Sequence, residues 1–137
     1  TLTALSIVTE IGDFNRFATA QHFASYLRLT PSENSSGDKE RRGAITKAGN
    51  RHVRRLLIEA AQSLAKGTIG YKSKELKRRQ SGNRVEVIAY ADKANERLRR
   101  RYRTLVLGKN KKQNVAKTAI ARELSGFIWG MMTGRIA

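Results

Sequence analysis

NRHVRRLLIEAAQSLAK, Asn50–Lys66, is the stretch that decides the fold. Val53, Leu56, Leu57, Ala60, Ala61 and Leu64 recur at three- and four-residue steps, so they fall on one face of a helix. Arg51, His52, Arg54 and Arg55 lie elsewhere on its first turns. Asn50 is expected to cap it, because an asparagine oxygen can accept from a free N–H of the first turn.

The same period recurs outward from this helix. Leu2 to Ile11 reads as a first helix, with Leu5 and Val8 on its inner face and Gly12 as its stop. Asp13-Phe14-Asn15 reads as a turn. Thr19 is a candidate N-cap for a second helix through Leu29 that buries Phe23, Ala24 and Leu27, and Pro31 ends it. Residues 31–49 are loop-like, with Ala44-Ile45-Thr46 a candidate extended segment. Gly67 to Asn83 is a basic connector with a short helix at Lys74 to Gln80. Val85 to Leu107 reads as a long helix with Val87, Ala91, Ala94, Leu98, Tyr102 and Leu105 on one side. Gly108 stops it. A last helix over Gln113 to Met132 is expected to bury Val115, Ala119, Ile120, Leu124, Phe127, Ile128 and Met131. One proline in 137 residues and little β-branched alternation give an all-α fold class. The expectation is one compact helical domain over 1–137, with 67–112 a basic helical connector and the two long helices an antiparallel hairpin. Helix-patterned residues from Thr1, with no initiator Met, suggest a piece of a longer protein.

Lysine plus arginine number 28 against 11 acids, a formal charge of +17. Such a chain repels itself unless a polyanion is near, which makes nucleic acid the leading partner. No apolar run reaches membrane-spanning length. The absence of cysteine excludes disulfides and thiolate-held zinc. His22 and His52 have no carboxylates at ligand spacing, so no metal site is expected. With no signal peptide visible, a cytoplasmic location is expected.

The charge is concentrated. Lys39, Arg41, Arg42, Lys47, Arg51, Arg54 and Arg55 place seven cations in seventeen residues against one acid, Glu40. With the backbone N–H groups at the helix start near Asn50, they form a candidate phosphate-binding set. Just before them stands Ser35-Ser36-Gly37. A serine attacks a phosphodiester only when activated and when the charge is screened, and these cations could supply the screening. Residue types alone leave a polar surface turn as the simpler reading. A second block, Arg97, Arg99, Arg100, Arg101 and Arg103 with Lys109, Lys111 and Lys112, reads either as a second nucleic-acid track or as the solvent face of the hairpin. His52 reads as a phosphate donor or a partly buried polar residue rather than a general base. Glu10, Asp13, Glu33, Asp38 and Glu40 form no evident two-metal carboxylate set.

The stretch LSIVTEIGDFNRFATAQHFASYLRLTPSENSSGDKERRGAITKAGNRHVRRLLIEAA, with the closing LGKNKKQNVAKTAIARELSGFIWGMM, resembles the C-terminal transposase domain of the insertion sequence 110/116/902 family. The resemblance implies a site-specific DNA recombinase of a mobile element. It implies an N-terminal acidic domain holding Mg2+ elsewhere in the full protein, with no cofactor in this stretch. It further implies a homo-oligomer, and in some members a structured guide RNA. The family's helix-hairpin-helix start would be only partly present. The family's nucleophile, the serine directly before the turn glycine, corresponds to Ser36. Lys39, Arg41, Arg42, Lys47, Asn50, Arg51, Arg54 and Arg55 would position phosphates around it. The rival expectations are a basic helical module that binds DNA or RNA without chemistry, and an assembly element built on the hairpin.

Overall fold

A computed structural model describes residues 2–29, 47–65, 67–68, 71–109 and 112–136. Among them are six α-helices and no strand: α1 (Leu2–Ile11), α2 (Ala20–Tyr26), α3 (Lys47–Ala65), α4 (Lys74–Gln80), α5 (Val85–Arg103) and α6 (Gln113–Met132). The all-α expectation is met. Pro31 and the segment Ala44-Ile45-Thr46 lie outside the described residues.

Local chemistry sets the boundaries. Gly12 ends α1 at φ +73, a conformation that costs glycine nothing. Asp13 accepts from the Asn15 N–H and starts a 3-10 turn over Phe14–Arg16. Thr19 caps α2 by accepting from the His22 N–H at 3.1 Å. The end of α2 is a Schellman closure. The Arg28 N–H donates to the Ser25 carbonyl at 2.9 Å, and the Leu29 N–H to the Ala24 carbonyl at 3.0 Å. Arg28 holds the left-handed position, φ 59, where glycine is usual.

α3 begins earlier than its sequence pattern indicates. It starts at Lys47, so Asn50 lies inside the helix and does not cap it. Gly49 and Asn50 are weak helix formers, so the helix runs through them because Val53 and Leu57 in the following turns are locked in the core, not because of local propensity.

α3 and α6 cross at the centre of the core, with α1, α2 and α5 packed around them. Ile7 and Ile11 of α1, Phe23 and Leu27 of α2, Val53, Leu57 and Ala61 of α3, Leu98 of α5, and Ile120, Ala121 and Trp129 of α6 are buried together. The inner face of α1 is therefore Ile7 and Ile11. Leu5 and Val8 face outward, Leu5 at 60% exposure. On α6 the expected Val115 and Met131 are exposed, while Ala116 and Trp129 are buried. The Trp129 Nε1–H donates to the Phe17 carbonyl at 3.1 Å, joining α6 to the end of the 3-10 turn that precedes α2.

α5 and α6 run antiparallel, as the hairpin expectation required. Tyr90 meets Phe127 at one end, and Leu105 packs on Ala116 and Ala119 at the other. α5 passes into a π-turn over Thr104–Gly108, closed by a 3.0 Å bond from the Lys109 N–H to the Thr104 carbonyl.

Candidate nucleic-acid interface

Ser35, Ser36, Gly37, Lys39, Arg41 and Arg42 lie outside the described residues. The two ends of that interval are described. Leu29 is buried, and its carbonyl accepts from Arg122 Nη1 of α6 at 3.4 Å. On the other side, α3 begins at Lys47 and lays Val53 and Leu57 in the same core as Ile120 and Ala121. Both flanks thus belong to the packed bundle and lean on α6. The backbones of Lys47 and Asn50 occupy the first turn of α3, where N–H groups have no partner within the helix.

Arg51, Arg54 and Arg55 lie one turn further on. With 100° per residue Arg51 and Arg55 point away from the buried stripe of Val53, Leu57 and Ala61, while Arg54 borders it. Arg51 and Arg55 are exposed and Arg54 half-buried. None of the three forms an ion pair among the described residues. Three cations within about 5–6 Å of one another at Cβ repel, and they persist together only where solvent or an anion screens them.

His52 is committed elsewhere. Its Nδ1 stands 2.6 Å from Glu10 Oε1, joining the end of α1 to the second turn of α3. This partly buried polar pair fixes the ring and leaves Nε2 as the nitrogen that can face outward. No sequence pattern linked Glu10 to His52, because the two are 42 positions apart.

Most arginines of the second basic block have partners within the fold. Arg97 Nε and Arg101 Nε donate to the two oxygens of Glu123 on α6, at 3.1 and 2.7 Å. Arg100 pairs with Glu96 one turn back at 2.9 Å. Arg99 turns to backbone. Its Nε donates to the Leu64 carbonyl at 3.1 Å, and its Nη1 to the carbonyls of Thr68 and Tyr71 at 2.8 and 3.2 Å. Arg99 therefore closes the C-terminus of α3 and fixes the connector behind it. Gly67 leaves room for this, since a Cβ there would meet the guanidinium. Four of the block's five arginines thus have protein partners, although Arg97 and Arg100 stay exposed.

The connector holds the cations that the sequence reading passed over. Lys74, Lys77, Arg78 and Arg79 on α4, and Arg84 after it, are all exposed. Lys72 Nζ and Gln80 Nε2 donate to the two carboxylate oxygens of Asp92 on α5, at 2.9 and 3.0 Å. The Gln80 bond, above all, holds the Asp92 carboxyl below its ordinary pKa; burial pushes the other way, and Lys72 adds to the lowering through its bond and its charge. No group of three His, Cys, Asp or Glu able to hold a metal occurs among the described residues. No described helix is long and apolar enough to cross a membrane.

Residues 1–76 match the family model described as "Transposase IS116/IS110/IS902 family". A candidate transposase of Sinorhizobium fredii, y4qE, is 40% identical over 130 residues, which cover 95% of this chain and 33% of that protein. The transposase for insertion sequence element IS1111A of Coxiella burnetii is 40% identical over 63 residues, 46% of this chain and 17% of the relative. The transposase for insertion sequence element IS1328 of Yersinia enterocolitica is 32% identical over 62 residues, 45% of this chain and 19% of the relative. The chain thus spans a third or less of the length of these relatives. No solved structure matches.

Proposed function

Because this chain belongs to the IS116/IS110/IS902 transposase family, we propose that it is the DNA-handling, serine-bearing part of a transposase. The observation that carries the reading is the exposed pair Arg51 and Arg55, with half-buried Arg54 beside them, near the start of α3. It immediately follows the interval that contains Ser36, whose flanks both rest on α6. Lys39, Arg41, Arg42 and Lys47 add to this charge along the sequence. Cations here would offset phosphate repulsion and stabilise the extra negative charge of a five-coordinate phosphorus.

In the reaction we assign, the Ser36 Oγ attacks a backbone phosphorus and loses its proton. A Ser–O–P bond forms, one P–O bond to a deoxyribose oxygen breaks, and that oxygen leaves with a proton. One phosphoester replaces another, so a DNA hydroxyl can reverse the step without an energy source. Mg2+ does not fit the described residues, which offer no carboxylate cluster. If the reaction uses Mg2+, an acidic domain elsewhere in the longer protein would have to supply it. A homo-oligomer, and a guide RNA of the kind some relatives use, belong to the same proposal for the longer protein.

The test separates binding from chemistry. In fluorescence anisotropy with a labelled duplex, Arg51→Ala with Arg55→Ala is expected to weaken binding and lower the salt slope by about two. In the longer protein, Ser36→Ala is expected to abolish a covalent protein–DNA adduct while leaving affinity near wild type. An adduct that persists in Ser36→Ala would overturn the nucleophile. DNA binding with no adduct in the wild type would leave a binding module without chemistry.

A further inference from the structure

We propose that α4 together with Arg84 forms a second surface for the phosphate backbone of duplex DNA, held in a fixed orientation by Asp92. The proposal rests on the reading above in taking DNA as the polyanion.

Residues 74–84 carry five cations, Lys74, Lys77, Arg78, Arg79 and Arg84, against one acid, Glu75. All five are exposed, and none forms an ion pair among the described residues. On the helical wheel Lys74, Lys77 and Arg78 share one side. Leu76 and Gln80, half-buried, share the other, where Gln80 reaches Asp92.

α4 has seven residues and buries none of them. A helix that short is not stable alone in water, and this one adds nothing to the core. Yet it is fastened repeatedly. Ser73 caps it by accepting from the Leu76 N–H. Lys72 and Gln80, flanking it, grip both oxygens of one carboxylate. Arg99 ties down the backbone leading into it at three carbonyls. Polar fastenings on a segment without buried residues fix where its outer surface points, and that surface is cationic.

The surface is separate from the α3 arginines. Arg99 fastens the connector at Leu64, thirteen residues from Arg51 on the same helix, or about 20 Å along its axis. A protein that exchanges strands gains from two such surfaces, because each can hold a different stretch of duplex.

Two variants of the chain distinguish presentation from charge. Lys74→Ala with Lys77→Ala and Arg78→Ala is expected to weaken binding of a labelled duplex and lower the salt slope by two to three, about one per cation. Asp92→Ala makes the chain one unit more positive, so charge alone would tighten binding. If the carboxylate orients α4, binding weakens several-fold instead, and Gln80→Ala, which removes one of its two bonds, weakens it in the same direction. Unchanged affinity in the triple variant, with loss in Arg51→Ala/Arg55→Ala, overturns this inference and leaves the functional reading intact. If neither set loses affinity, both fall. Tighter binding in Asp92→Ala overturns the orienting role. If the triple variant loses a stem-loop RNA and keeps duplex DNA, DNA is the wrong partner for α4. Thermal melts of each variant identify any loss that comes from unfolding.

Discussion

Arg28 occupies a backbone position made for glycine. It sits at φ 59 in the closure of α2, where a side chain costs about 1–2 kcal/mol. Its N–H bond to Ser25 and the burial of Leu29 beyond it hold the residue there. Arg28→Gly is therefore expected to raise stability by roughly 0.5–1 kcal/mol, after the loss of unfolded-state stiffness, and a thermal melt would read it as an increase in Tm. Asp92 is the second residue whose chemistry gives a sign. Its folded pKa is depressed, so its contribution is present above the ordinary aspartate pKa and is lost as pH falls through the lower folded value. Hydrogen exchange at acid pH should show α4 amides losing protection below about pH 4, while the α3 and α6 core stays protected. Protection of α4 that persists to the lowest accessible pH would remove Asp92 as its anchor.

At the scale of elements, the connector depends on Arg99 and on Gly67. Arg99→Ala removes three bonds to carbonyls and is expected to cost about 1.5–3 kcal/mol, since the donor is charged and partly buried. Gly67→Ala should act through the same contact by pushing the guanidinium aside. The two changes are then strongly non-additive in denaturant unfolding, and additive losses would show that they act separately. Most elements are legible in the sequence. The bounds of α1, α4 and α6, the Thr19 cap and the stripe on α3 follow from period and capping chemistry. The failures have a common cause. α1 carries apolar residues on two neighbouring faces, Ile7 with Ile11 and Leu5 with Val8, and only packing in the bundle selects between them. Apart from Arg100, whose Glu96 stands one turn back, the fate of the paired arginines was hidden for the same reason: Glu123 lies 22 to 26 positions from its partners, and the Arg99 carbonyls lie 28 to 35 positions away. A run of like charges in sequence thus divides in space into internal fastenings and outward contacts. The residues proposed around Ser36 follow from family likeness and charge density, and the described geometry reaches them only through Arg51, Arg54, Arg55 and the flanks.

For the molecule as a whole, cation placement is the organising feature. Four arginines of α5 have partners within the fold, two of them sharing Glu123 and one on backbone carbonyls, whereas Arg51 and Arg55 of α3 and the cations of α4 with Arg84 are exposed with no ion pair among the described residues. The two surfaces share one scaffold, and α6 is its keystone. It meets Leu29 through Arg122, Phe17 through Trp129, α3 through Ile120 and Ala121, and α5 through Glu123. Yet a ribosome makes α6 after every other described helix. Until Gln113–Met132 has emerged, α1, α2 and α3 have no common wall to close on, and the flanks of the serine interval have nothing to rest against. The packing that holds the flanks of the serine interval is therefore completed only when the last of the described helices is made.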